Sequence, residues 1–395
     1  MSEPSPILVP TSYQLGYEKA RSVDRVLADL YVRHTTIGDP ELDPVIEECS
    51  ESLPPDVFSR YIRAGILQKE DFLTGAPDSL REFFHGVDNT NPPWLSYESF
   101  RPATRAVYKN ASLVLAAFVA GALVEGFTTM IAKSFRITGR VGSKNTKRRL
   151  GYNARHILEI FYPSGMYREN DGWKMTMRIR FVHAKVRYLL GRSDEWDTEA
   201  WGCPLSAAHL GFAISVFSDR LLHFCKSLGV RFNKEEQESV MAVFRYVGYL
   251  FGIPDAILYE SRQDAKEIFK VGLLCEPPPD DDSAAVANEL VRAVPRVTDV
   301  QTAEEAEEQM KLGYALTRVL LGRKTAKDLQ FPKYNGFLAL LLFRGRIVLE
   351  SMLKDAQFIK RKNFTELLGI SSYDELIGIS YKMPTHVKDA LSQDW

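Results

Sequence analysis

Cysteine is scarce in this chain. The four cysteines among 395 residues, Cys49, Cys203, Cys225 and Cys275, lie far apart and form no CxxC pair. That spacing excludes a disulfide scaffold and a cysteine-rich zinc site, and predicts free thiols in a reducing, cytoplasmic setting. Long apolar runs are missing too. The longest, Leu113 to Val124, is bounded by Glu125 and falls short of the ~20 residues that a bilayer-spanning helix needs. An integral membrane span is therefore not expected, and contact at a membrane periphery stays open. The opening MSEPSPILVPTSYQLGYEK has no basic stretch followed by an apolar one, so no secretory signal is expected. Charge of one sign is also lacking. With 50 Lys and Arg against 51 Asp and Glu, no basic field is present to bind nucleic acid. Absent as well are a phosphate-binding GK[ST] loop, a GxGxxG turn, HExxH and a GxSxG elbow, which removes the common nucleotide, zincin and hydrolase readings.

What the chain does have is helical periodicity. Hydrophobic residues make up 45% and charged residues 26%, enough to bury a sizeable core. Alternating strand patterns and solenoid repeats are not evident. The class is mainly α, a single globular helical core with helices before and after it. Residues 1–16, with Pro4, Pro6 and Pro10, read as an extended arm. An N-terminal helical segment covers 17–99, and the core covers 100–270. A linker follows at 271–283, where CEPPPDDDS breaks the pattern, and then a C-terminal helical segment at 284–395.

Lys174 to Leu190, KMTMRIRFVHAKVRYLL, is the stretch around which the core is organised. Helical spacing puts Thr176, Ile179, His183, Val186 and Leu190 on one face, so one histidine stands among aliphatic side chains. Arg180 and Arg187 lie within reach of an anion held against the same surface. Two readings follow: a core histidine bonded to a neighbouring carbonyl, or an iron ligand whose apolar face walls a flat cofactor pocket.

A second helix is expected from Asn145 to Phe161, stopping before Pro163. Arg149, Asn153, His156 or Ile157, and Ile160 share a face of it, placing polar groups at one end of an apolar stripe. Those polar residues either face water or line a pocket shared with the His183 helix. Ser112 to Val124 is apolar on all sides and is expected at the centre of its domain.

The order of Arg149 and Asn153, RIRFVHAKVR, WGCPLS, FSDRLL, LGVRF and FRYVGYLFGIP resembles the haem-dependent oxygenase family of latex clearing protein (rubber oxygenase) and MpaB. The resemblance covers roughly residues 100–260. It implies an all-α fold holding haem b, with His183 as the axial iron ligand. Ile179, Val186, Arg180 and Arg187 would contact the cofactor. Arg149, Tyr152 and Asn153 would be the distal polar groups, with Glu125 the candidate base. Rubber oxygenases carry a threonine where Asn153 stands and a lysine where Tyr152 stands, so polyisoprene itself is not the expected substrate. The resemblance implies dioxygen and a hydrophobic, terpenoid- or lipid-like small molecule as partners, with oxidative cleavage of a carbon-carbon double bond as the reaction. Pocket lining is expected from Ser112 to Val124 and from Phe181, Phe212 and Phe217.

Other ligands compete for the iron. His156 would make the site bis-histidine, whereas His209 and His223 are expected to bond to neighbours or face water. Cys203, beside Pro204, has no surrounding thiolate signature. Two further functions stay open: a haem- or lipid-binding protein without turnover, and a haem enzyme of non-oxygenase type, a dehydratase or peroxide-dependent oxidant.

Overall fold

The computed structural model describes residues 6–139, 143–297, 302–336, 340, 341, 344, 382–388, 391, 393 and 394, with the side chains of 143–149, 295–297, 382, 393 and 394 left aside. Its N-terminal helices are α1 (Gln14–Arg21), α2 (Arg25–His34), α3 (Asp43–Ser52), α4 (Pro55–Ile66) and α5 (Asp78–Asn89). The central part contains α6 (Arg101–Lys109), α7 (Ala111–Ala117), α8 (Val124–Gly126), α9 (Ile131–Ile137), α10 (Ser143–Ile160) and α11 (Asp171–Leu190). After these come α12 (Thr198–Trp201), α13 (Ala207–Ser215), α14 (Leu221–Ser227), α15 (Lys234–Leu250), α16 (Arg262–Cys275), α17 (Asp281–Val297) and α18 (Ala303–Asp328). Among the described residues the only strand pairing is two residues long, Lys382–Met383 against Gln393–Asp394.

Local chemistry accounts for several boundaries. Asp24 caps α2 by accepting the Leu27 N–H at 2.9 Å, splitting the single helix that periodicity suggests for Tyr17 to His34. Asn233 and Glu236 form a reciprocal capping box at the start of α15, and Ser261 and Asp264 do the same for α16. The apolar stretch Ser112 to Val124 is not one regular helix. It runs through α7 into a π-helical segment, Phe118–Leu123, before α8. A second π segment, Val216–Arg220, joins α13 to α14. The two segments pack together, with the Phe118 and Phe217 rings 5.3 Å apart.

One cluster of buried apolar residues takes in the N-terminal helices, the central helices and α17 and α18. Each fully buried Phe or Leu in it contributes ~1.5–3 kcal/mol. The N-terminal arm does not stay extended, because Tyr13 is completely buried and α1 begins at the next residue. The Tyr13 hydroxyl meets His209 Nε2 at 2.8 Å. His209 Nδ1 accepts the Ser206 N–H, so Nε2 carries the proton that the Tyr13 oxygen accepts.

The proline- and aspartate-rich break is also tighter than composition suggests. Helix α16 continues to Cys275, and α17 starts at Asp281. Between them, buried Glu276 accepts from the Tyr31 hydroxyl at 2.8 Å and from the Met130 N–H at 3.0 Å. That carboxylate ties three parts of the chain together. Helix α17 then packs across α10 and α9. The apolar Phe337 to Phe343 stretch lies largely outside the described residues.

Among the described residues no single helix is long and apolar enough to cross a membrane. The bent pair Tyr97–Lys109 and Ala111–Gly126, at 94°, has the length and composition only when taken together.

Candidate functional site

Helices α10 and α11 form an antiparallel hairpin. Close to the turn, the Trp173 N–H donates to Gly165 O at 3.0 Å, and Gly172 lies against the Glu159 carbonyl. Further along, His156 Nε2 meets Thr176 Oγ1 at 2.8 Å. Two helical turns back from His156 is position 149, and two turns forward from Thr176 is His183. Seven residues is nearly a whole number of turns, so both positions keep the faces of their reference residues and stand at the same level. Asn153 falls between them, at the level of Ile179. The Arg149 side chain lies outside the described residues.

Thr176 fixes the state of His156. Its one hydroxyl hydrogen goes to Gly172 O at 2.7 Å, so Oγ1 accepts the His156 Nε2–H. Burial pushes the His156 pKa down to about 4, which keeps the ring neutral. The competing ligand is thereby engaged through its Nε2 by a neighbouring hydroxyl.

The predicted α11 face is buried at both ends, at Thr176, Val186 and Leu190, and half-open in the middle, at Ile179 and His183, with Val182 beside them also half-open. The His183 ring packs edge-on against Phe251, with centroids 5.4 Å apart and planes at 63°. Phe251 also faces the His156 ring, at 6.2 Å. This phenylalanine touches both imidazoles.

Arg180 and Arg187 have other partners than the anion expected for them. Arg180 grips Asp39 through Nε at 2.6 Å and Nη2 at 2.8 Å, and reaches Glu41 at 2.8 Å. Arg187 holds Asp43 through Nε and Nη2 at 2.9 and 2.7 Å, and the Leu205 carbonyl at 3.2 Å. Both guanidiniums are buried, and a buried cation needs such partners to offset its lost hydration. They fasten α11 to the turn before α3.

Glu125 is not a solvated helix-end acid. It is buried, with Arg220 donating to it through Nε at 2.8 Å and Nη2 at 2.7 Å. Burial raises its pKa, and Arg220 opposes the rise. The Arg220 guanidinium lies over the Phe224 and Phe269 rings, each at 4.8 Å. Arg220 ends the second π segment and Glu125 lies in α8 just after the first, and such helix irregularities are often found at functional sites. Next to Glu125, a Cβ added to buried Gly126 would meet no heavy atom within 4 Å, and the same holds for Gly151 on α10. Open space adjoins both helices.

The remaining candidates separate. Tyr152 is buried, and Asn153 is half-buried. Phe181 stacks on Phe84 and Phe212 on Phe269, whereas Phe217 is tilted against Phe118, so the three proposed lining rings meet three different aromatic partners. His209 belongs to the Tyr13 contact, and His223 is exposed. The Cys203 thiol is pushed up to about 11 by burial, which favours its protonated form. Sequence reasoning missed Phe251, Thr176 as the His156 acceptor, and Arg220. The signals available for two of them were the YLFGIP and FSDRLL stretches.

Among the described residues no three His, Cys, Asp or Glu side chains gather as a metal cage. One imidazole on an apolar, half-open face suits a metal carried in a macrocycle, which supplies its own equatorial ligands. The residues present fit a haem on this count.

Fold and site together define an all-helical protein with a single imidazole on an apolar helix wall. The catalytic-domain model of the ER-bound oxygenase mpaB/B'/rubber oxygenase family matches residues 105–346, and the chain belongs to this family of oxygenases. Rubber oxygenase of Streptomyces sp. (strain K30) is 21% identical over 221 residues, 55% of this chain and 54% of that protein. The chain thus aligns to about half the length of that relative. The structure of latex clearing protein LCP in the closed state matches with a TM-score of 0.64 at 18% identity, covering 85% of this chain and 91% of that one. It shares the fold.

Proposed function

We propose that the protein is a haem b-dependent oxygenase that oxidises a hydrophobic, terpenoid- or lipid-like small molecule with dioxygen. The observation that supports this reading is the His156–Thr176 contact of the α10–α11 hairpin, from which equal helical steps lead to position 149 and to His183 on a half-open apolar face. His183 would hold the iron, and bound haem would supply the redox chemistry with dioxygen. Ile179, Val182 and Val186 form the apolar wall. Arg149 and Asn153 are the distal polar groups by their shared face, with the asparagine amide available to donate a hydrogen bond. Tyr152, buried on the same helix, is a proton donor to that region. Glu125 is suited to accept a proton at a carboxyl oxygen, since burial raises its pKa. In the proposed cleavage each alkene carbon takes one oxygen atom and leaves as a carbonyl. The cysteines are free, three of them buried, which supports a reducing compartment such as the cytoplasm.

The test is a pyridine haemochrome assay on protein from haem-supplemented cells, beside His183→Ala, followed by oxygen uptake with terpenoid and unsaturated lipid substrates. Near-stoichiometric haem b that is lost or spectrally shifted in the variant supports His183 as the ligand. A wild-type protein that stays colourless after reconstitution overturns the haem reading. Stable haem without oxygen uptake on any substrate favours a binding protein.

A further inference from the structure

A pocket of 550 Å³ opens where the end of α14, the 228–232 turn and the starts of α15 and α16 meet. Its floor is apolar, with Leu222 and Val230 buried and Phe232 partly so. Its rim is cationic. Lys226, Arg231, Arg262 and Lys266 line it against the single carboxylate of Asp219, which leaves three positive charges in a chain whose net charge is −1. Asp219 is already taken by Arg262 Nε at 2.6 Å. Lys226, Arg231 and Lys266 are exposed and have no carboxylate partner among the described residues. The His223 pKa is lowered, first by partial burial of its ring and then by Arg220, Lys226 and Arg262, with Asp219 opposing.

This pocket is not part of the His183 wall. Gln237 lines it near the start of α15, whereas Phe251, which touches His183, follows the other end of that helix. At 1.5 Å per residue the two positions are ~20 Å apart. An apolar floor of this size beneath unpaired cations calls for a ligand with two parts. The floor takes hydrocarbon, and the rim takes an anion.

We propose that this pocket binds a small amphipathic anion, a phosphate or carboxylate carried on an apolar chain. Titration calorimetry with decyl phosphate, inorganic phosphate and decanol tests it, on the wild type and on Lys226→Glu with Arg231→Glu. Decyl phosphate should bind at least about tenfold more tightly than either fragment, and the double variant should lose at least about tenfold, a difference of ~1.4 kcal/mol. Both substituted side chains are exposed, so the thermal midpoint should be unchanged. Equal affinity for inorganic and decyl phosphate would overturn the proposal, as would no binding, or binding indifferent to the charge reversal. His183→Ala should bind decyl phosphate as the wild type does, which separates this site from the haem reading. Co-sedimentation with phosphatidylcholine vesicles containing phosphatidic acid, lost in the double variant, would identify a lipid headgroup as the source. Binding of decyl phosphate without vesicle retention would identify a free ligand.

Discussion

Two sets of cations in this protein carry the same charge in opposite settings. Arg180 and Arg187 on α11 are buried and fully engaged by Asp39, Glu41 and Asp43. Lys226, Arg231 and Lys266 stand exposed around an apolar pocket whose lining acid, Asp219, is held by Arg262. A buried guanidinium left alone loses hydration that nothing returns, so its partners are built into the fold. An exposed ammonium stays hydrated and can wait for a partner from outside. Charge alone therefore does not mark a ligand site; the absence of internal partners does.

The largest effect expected from breaking this contrast is at Asp39. Asp39→Ala leaves the buried Arg180 with only the exposed Glu41 carboxylate and should lower unfolding stability by ~3–5 kcal/mol, read from the urea midpoint at unchanged slope. Arg180→Met combined with Asp39→Leu should recover part of that loss, because no under-partnered guanidinium remains buried, although the Glu41 and Leu42 N–H groups still lose their acceptor. An Asp39→Ala variant as stable as the wild type would break the comparison.

Acid comes next. His156 is held at a pKa of about 4, below the ordinary value of 6.5, so the unfolded chain binds the proton more readily than the folded one. Its contribution is complete above pH 6.5 and is lost as pH falls towards 4, by an amount of order 3 kcal/mol. His156→Gln should flatten that part of the stability profile, and a slope equal to that of the wild type would show that the histidine is not its source.

A smaller effect is expected at Gly252. Its φ of +71° is a conformation that suits glycine, and an added Cβ would run into Asp39 and the Arg180 guanidinium. Gly252→Ala should cost about 1–3 kcal/mol in the same measurement. The smallest effect sharpens the other side of the contrast. Lys226→Met should shift stability by no more than about 0.5 kcal/mol, since the exposed side chain holds nothing together.

The helical class was legible because periodicity is local, and the resemblance pointed to His183 because the α11 pattern is local too. The partners of Arg180 and Arg187 were not legible. Asp39 and Asp43 lie 141 and 144 residues away, and only the packed fold brings them to α11. The same distance hid the Glu125–Arg220 pair, 95 residues apart. Composition misled at the ends of the core. The proline-rich break reads as a hinge until Glu276 is seen in its buried contacts, and the early prolines suggest a loose arm although Tyr13 is fully enclosed. The half-open stretch at Ile179 and His183 is also a property of packing. Periodicity assigns a side chain to a face without saying what covers it.

The α10–α11 hairpin makes the candidate site a matter of counting. His156 and Thr176 act as a shared origin, and positions 149 and 183 are reached by equal steps along the two helices. Lengthening the connection between Phe161 and Asn170 leaves that count untouched, so a residue added there disturbs the turn's own packing at Met166 and Arg168 but not the level of the two positions. One residue inserted between 149 and 156 instead turns position 149 by ~100° and moves it 1.5 Å along the axis. Homologous chains should therefore keep strict spacing on either side of the turn.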